Sequence, residues 1–237
     1  MGFYKYLYKS KPGTLAYYLD QLSKLKPDLF VVQVGANDGM THDPIHKFIK
    51  RDKWHGVLME PQTHVFEKYL SGLYKKQPGI EVVNAALGFE DGLATLYCIG
   101  FSSARWATGL ASFERAVLEK SFESEHVLRQ AKKENVKIPE DRDRWIVEIE
   151  VPVLSVDALL QRYNIRKIDL LQIDTEGFDF KIIKMFDFDK IKPAAISYEN
   201  MHLSVEDKNT CEKYLVKNKY QLKHFGGNTL AHLGILD

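Results

Sequence analysis

The stretch Val31-Val32-Gln33-Val34-Gly35-Ala36-Asn37-Asp38-Gly39 decides the fold. An apolar run ends in a tight Gly-x-x-x-Gly turn, and a helical segment follows. This is the pattern of a first β-strand feeding a nucleotide-binding loop. Glycine is needed where a backbone turns sharply or approaches a ligand closely, because it has no Cβ to clash. The spacing matches neither G-x-G-x-x-G nor G-x-x-x-x-G-K-[ST].

Working outward, residues 14–26 place Leu15, Tyr18, Leu19, Leu22 and Leu25 at helical spacing, and Pro27 ends that helix. Leu29 to Val34 reads as a buried strand. Pro44 to Lys53 reads as a helix, with Asp43 as its cap. Gly56 to Glu60 is a second strand, residues 62–76 a helix, and Ile80 to Leu87 a third strand. That β-α-β-α-β order predicts an α/β fold with a parallel sheet and helices on both faces. Ala94 to Ile99 reads as an added strand or hairpin arm, 100–113 as loop and 114–136 as charged helix. Trp145 to Val153 alternates like a strand, and Ser155 caps a short helix. The regular pattern returns with strands at Ile168–Ile173 and Ala194–Tyr198 and a helix at 205–218. Two last strands flank Gly226-Gly227-Asn228, a hairpin signal. The expectation is one domain over 1–237, with a helical extension at 1–28 and an insertion at 100–150.

The chain has 237 residues, 45% of them hydrophobic and 27% charged, and a net charge of +1. These values describe an ordinary globular protein and give no basic field for nucleic acid. No run of about 18 apolar residues is present to span a membrane. The start, Met1 to Tyr6, lacks the Ser or Thr of a myristoylation signal and the apolar core of a signal peptide. Cys98 and Cys211 make no metal or redox spacing, so two free thiols and a cytoplasmic location are expected.

The V-G-A-N-D-G loop resembles the S-adenosylmethionine (SAM) loop of a Rossmann-like methyltransferase, and other strand ends agree. In a doubly wound sheet, ligands bind beyond the carboxyl ends of the strands. Gly35, Asn37 and Gly39 would let the methionine part of SAM lie against the backbone. Glu60, 21 residues after Gly39, would accept hydrogen bonds from both ribose hydroxyls. Asn84 and Ala85, in Asn84-Ala85-Ala86-Leu87-Gly88, would leave room for adenine and meet its edge. Asp174 and Glu176, in Asp174-Thr175-Glu176-Gly177, are placed at the transferred methyl as candidate catalytic groups. With Asp174, the pair Glu199-Asn200 makes an oxygen set suited to Mg²⁺. It resembles the ligands of catechol and macrolide-sugar O-methyltransferases, without the lysine of the catechol enzymes; Gly177 takes that place. His202 is a candidate general base and His42 a candidate substrate contact. His42 and His46 share helical spacing without the partners a zinc site needs.

Together Val34 to Gly39, Met59-Glu60-Pro61, Asn84 to Gly88, Val156 to Leu160 and Ile168 to Gly177 resemble the FkbM family of SAM-dependent methyltransferases. Gln172 stands where that family usually has Lys, and Asp179 where it often has Glu. The resemblance implies a class I methyltransferase sheet of seven mostly parallel strands and O-methylation of a sugar, glycan or secondary metabolite. It leaves the acceptor open. An acceptor-binding cap is expected in the 100–150 insertion, with Phe101, Arg105, Trp106 and Phe113 offering aromatic faces and a cation. The competing expectation is an insertion that packs on the sheet or on a second subunit, which leaves a homo-oligomer open. The competing function is a Rossmann-like protein that holds SAM or a nucleoside without turnover. The absent G-x-G-x-x-G weighs against an NAD-dependent oxidoreductase, and the balanced charge against a nucleic-acid methyltransferase.

Overall fold

The computed structural model describes residues 9–236. The readings placed on Met1 to Tyr6 lie outside the described residues. In chain order the elements are α1 (Leu15–Leu25), β1 (Phe30–Val34), α2 (His46–Asp52), β2 (His55–Met59), α3 (Thr63–Val65), a π-helical turn (Phe66–Leu70) and α4 (Ser71–Tyr74). They continue with β3 (Ile80–Val83), β4 (Ala86–Gly88), β5 (Gly92–Ile99), α5 (Arg105–Thr108), α6 (Arg115–Glu123) and α7 (His126–Lys133). A 3₁₀ turn (Arg142–Arg144) leads to β6 (Ile146–Ser155), α8 (Val156–Arg162), β7 (Leu170–Ile173), α9 (Asp179–Met185), β8 (Ala195–Glu199), α10 (Val205–Lys217), β9 (Gln221–Phe225) and β10 (Asn228–His232).

Seven strands form one sheet in the order β3-β2-β1-β7-β8-β10-β9. β1 pairs in parallel with β2 and β7, and β7 with β8; only β10 runs antiparallel to its neighbours β8 and β9. Side chains alternate across a strand, so each buried strand feeds two layers. Val31, Leu58 and Leu170 face a core completed by Leu19 and Leu22 of α1 and Phe48 and Ile49 of α2. Val32, Val34, Met59, Leu171 and Ile173 face the opposite core, with Leu159 of α8, Ile183 of α9 and Leu215 of α10. Thr14, Ser155 and Ser204 cap α1, α8 and α10 through their side chains. No helix among the described residues is long and apolar enough to cross a membrane.

The segment read as one strand from Ile80 to Leu87 is two. β3 pairs with β2 in the main sheet, whereas β4 leaves it and pairs in parallel with β6. β5 and β6 form an antiparallel ladder from Gly92↔Val153 to Ile99↔Ile146, completing a second sheet in the order β4-β6-β5. The part of the insertion outside this ladder is therefore 100–145, and β6 runs on through Pro152 to Ser155. The charged helix expected at 114–136 is broken at Glu125, whose φ of 58° separates α6 from α7. Both helices pack Leu118 and Val127 onto Ala107, Leu110 and Ile99, giving the insertion its own small core.

Candidate active site

The carboxyl ends of β1, β2 and β7 are tied together before any ligand is considered. The amides of Gly35 and Ala36 donate to the Met59 carbonyl at 3.1 and 2.8 Å, and the Asp174 amide to Val34 at 3.0 Å. Gly35 has φ +82°, and a Cβ there would lie 1.8 Å from the Asp174 carbonyl oxygen. Its glycine is thus demanded by the close approach of two strand ends. At Gly39 a Cβ would meet Leu70 at 2.7 Å and Tyr74 at 2.9 Å, so packing against the 63–74 helical segment explains it. Gly39 does not line the site cavity.

That cavity has a volume of about 570 Å³ and opens beyond the strand ends; Gly35, Asn37, His42, Glu60, Asp174, Glu176 and Glu199 line it, with Arg105 and Trp106 of the insertion. Glu60 is 2% exposed. Its Oε2 accepts from the Asn37 amide at 2.8 Å, and its Oε1 from the Gln62 amide at 2.9 Å and Gln62 Nε2 at 3.1 Å. Burial outweighs these donors and pushes its carboxyl up to about 7. Asp38, read as part of the turn alone, forms an Asx-type loop by accepting from the Met40 and Thr41 amides. Burial opposes ionisation there, but these donors and Arg105 hold its carboxyl below the usual range.

The insertion closes over this loop. Arg105 Nε lies 2.8 Å from Asp38 Oδ2, its terminal nitrogen donates to Thr41 Oγ1 at 2.7 Å, and its guanidinium stacks on Tyr69. Arg105, the cation expected of the cap, lines the cavity with its charge already paired with Asp38. Thr108 Oγ1 donates to Asn37 Oδ1 at 3.2 Å, and Gln62 Nε2 donates to the Thr108 carbonyl at 2.9 Å. Trp106 donates through Nε1 to Glu134 at 3.0 Å. Phe113 lines the cavity against Phe178, while Phe101 packs on Phe122.

At the other end stand the acids. Asp174 is exposed towards the cavity, and no side-chain hydrogen bond engages its carboxylate among the described residues. The protein crowded around it, then Glu199, Glu176, Asp179 and Asp43, push it well above the usual range. Burial and Glu176 raise Glu199 to about 8. Glu176 Oε2 lies 2.9 Å from His202 Nε2, and Glu199 Oε2 3.9 Å from it. That contact with Glu176 raises the His202 imidazole above its ordinary value. His202 itself does not line the cavity.

Three expected contacts are placed elsewhere. Asn84 donates to the carbonyls of Glu60 and Pro61 at 2.9 and 3.1 Å and accepts from Thr63, so its carboxamide closes the turn after β2. Ala85 is buried in the core, and the next two residues, Ala86 and Leu87, line the cavity in its place. Asn200 donates to Thr229 at 2.9 Å and is absent from the cavity lining. The acids and imidazole that converge within 4.8 Å among the described residues are Glu176, Glu199 and His202. Mg²⁺ prefers an all-oxygen octahedron, so this pair of carboxylates with an imidazole does not fit it, and of the expected Asp174/Glu199/Asn200 set only Asp174 and Glu199 line the cavity. Gln62 and Thr108 join the site although the sequence does not mark them as site residues. Asp43 caps the 45–46 amides as expected but also accepts from Gln33 of β1 at 3.1 Å.

A sheet of this order, with its cavity beyond the carboxyl ends of the central parallel strands, is that of the Rossmann-like methyltransferases. The model of the methyltransferase FkbM domain matches residues 33–223, and the chain belongs to that family. In structure it is similar to the methyltransferase FkbM from Methylobacillus flagellatus KT, with 13% identity and a TM-score of 0.51 over 91% of this chain and 49% of that one. The chain thus spans about half the length of that structure. More distant likenesses are a precorrin-6y C5,15-methyltransferase from Geobacter metallireducens GS-15 (12% identity, TM-score 0.42, 95% of this chain and 94% of that) and a spermidine synthase in complex with the transition-state analogue AdoDATO (15%, 0.40, 95% and 62%). No curated protein matches the sequence.

Proposed function

We propose that this chain is a SAM-dependent O-methyltransferase acting on a hydroxyl of a sugar, glycan or secondary metabolite. The observation that carries the reading is Asp174, whose unengaged carboxylate opens into the same cavity that Glu60 and the Gly35–Asn37 loop line. The cavity falls within the usual range for small-molecule sites, about 300–1,000 Å³. An ionised carboxylate offers about four acceptor positions, and Glu60 uses three of them, so an acceptor for a ribose hydroxyl remains. The residues therefore fit the cofactor: Glu60 would hold its ribose, and Gly35 and Asn37 would flank its methionine part. SAM, when bound, supplies an electrophilic methyl group on a sulfonium.

The chain's own contribution is positioning and proton transfer. Asp174 takes the proton of the acceptor hydroxyl, and its raised pKa makes it a stronger base than an ordinary aspartate. His202, held on Glu176 and raised, serves that carboxylate as a counter-charge rather than as the base. The 100–150 segment acts as the acceptor cap, with Trp106 and Phe113 on the cavity wall. Substrates held in line between the two ends gain most of their rate from that orientation.

The test is methyl transfer from methyl-labelled SAM to a panel of hydroxylated acceptors, sugars and non-sugars. The expected product carries the label as an O-methyl ether. Tight binding of cofactor with no transfer to any acceptor would favour the non-catalytic binding protein instead.

A further inference from the structure

Glu60 and Gln62 are almost completely buried, at 2% and 3% exposure, and their side chains meet in one bond network. The Gln62 carboxamide is fully oriented. Its Oε1 faces the Cys98 sulfur at 4.0 Å, and its Nε2 donates both to Glu60 Oε1 and to the Thr108 carbonyl. The Cys98 thiol is held protonated, its pKa pushed up to about 12 by burial, so it is the donor in that contact and fixes which end of the amide is oxygen. Thr108 belongs to the strap formed by α5 and the residues after it, which crosses the cavity.

Donor counting then sets a conflict. Glu60 Oε1 already accepts two N–H groups and Oε2 one, which leaves a single vacant acceptor position out of about four. A vicinal diol brings two O–H donors. Two of the three donors already in place are backbone amides fixed by the strand ends, of Asn37 and Gln62. The movable one is the Gln62 side chain, and it also tethers the strap through the Thr108 carbonyl, beside the weaker bond of the Thr108 hydroxyl to Asn37.

Resting on the reading of Glu60 as the ribose carboxylate, we propose that Gln62 is a positioning residue that couples ribose binding to the strap: a bound diol displaces its Nε2 from Glu60 and so releases the strap at Thr108. Cofactor binding then loosens the cap locally, and the acceptor enters after the cofactor. Arg105 keeps the start of α5 on Asp38 throughout, so the release is confined to the strap's far half. The reporters are the amides of Gly109, Leu110 and Ala111, which bond to the carbonyls of Arg105, Ala107 and Thr108.

Hydrogen exchange of these three amides, with binding measured in parallel by calorimetry, tests the proposal. S-adenosylhomocysteine is expected to speed their exchange about tenfold in the unaltered protein. Its 2′-deoxyribose analogue, with one hydroxyl for the one vacant acceptor, is expected to bind and leave them unchanged. In Gln62→Leu the same amides should exchange fast without ligand and not respond to it, while Thr108→Val, which keeps the carbonyl, should respond like the unaltered protein. Unchanged or slower exchange on S-adenosylhomocysteine binding, an equal effect of the deoxy analogue, or a slow strap in unliganded Gln62→Leu would overturn the coupling. Should Gln62→Leu not fold, the two ligand arms decide alone. Absence of any S-adenosylhomocysteine binding would instead remove the cofactor reading, and the coupling with it.

Discussion

Glu60 makes the ligand-free protein less stable as pH rises, and Glu60→Gln removes that dependence. The side chain is 2% exposed and its folded pKa is raised from 4.5 to about 7, so the folded state holds its proton more tightly than the unfolded chain. For such a group, stability is fully present below the unfolded value and is lost as pH rises through the folded one. The window is therefore from 4.5 to about 7, and the gap corresponds to about 3 kcal/mol. The groups facing Glu60 are the Asn37 and Gln62 donors, the Asp38 carboxylate and the Cys98 thiol, and Asp38 adds to the rise. Asp43 and Asp179, raised to about 6, and Glu199, raised to about 8, push the slope the same way. They are present in both proteins and cancel in the comparison. Glu60→Gln loses one acceptor oxygen for two backbone donors, which lowers stability by about 1–3 kcal/mol at every pH. Urea unfolding in steps across this window reads the result: the unaltered protein should lose about 3 kcal/mol more than Glu60→Gln between the two ends. Parallel curves, or a relative gain by the unaltered protein as pH rises, would refute the reasoning.

Three further outcomes are expected. Gly35→Ala places a Cβ 1.8 Å from the Asp174 carbonyl oxygen at a positive φ; urea unfolding should show a loss of at least about 3 kcal/mol or no folded protein, and a loss under about 1 kcal/mol would contradict the close approach. Asp174→Asn should lower turnover at least about a hundredfold and leave S-adenosylhomocysteine affinity within about threefold; unchanged turnover would dismiss Asp174 as the base. In an NMR titration His202 should lose its proton above the ordinary 6.5, and Glu176→Gln should bring it back towards about 6.5. A His202 titration indifferent to Glu176→Gln would show that the 2.9 Å contact does not set it.

Much of the scaffold could be read from the chain because buried parallel strands leave strong local marks. Val31 to Val34, Gly56 to Met59 and Ile168 to Ile173 are apolar runs ended by a glycine or an acid, and the site lies at those ends. The break between β3 and β4 left no such mark. Val82 to Leu87 stays apolar except at Asn84, and the carboxamide that turns the chain there looks, in sequence, like a ligand contact. The glycines mark the loop in the sequence, yet the reason for two of them lies in Asp174, Leu70 and Tyr74, which only the fold brings near. Arg105, a free cation in the sequence, is claimed by Asp38 from 67 positions earlier. Gln62 carried the faintest signal, a polar residue just past Glu60-Pro61, because its significance depends on Thr108 folding back over it. Pairings across the insertion are set by packing of Leu110, Leu118 and Val127, and nothing local encodes them.

Calorimetric titration of S-adenosylhomocysteine, beside Glu60→Ala under the same conditions, tests the central claim most directly. The account predicts one site per chain with micromolar affinity, lost in Glu60→Ala while that variant still unfolds cooperatively. No heat of binding in the unaltered protein, or equal affinity in Glu60→Ala, would contradict the assignment of this cavity to the cofactor.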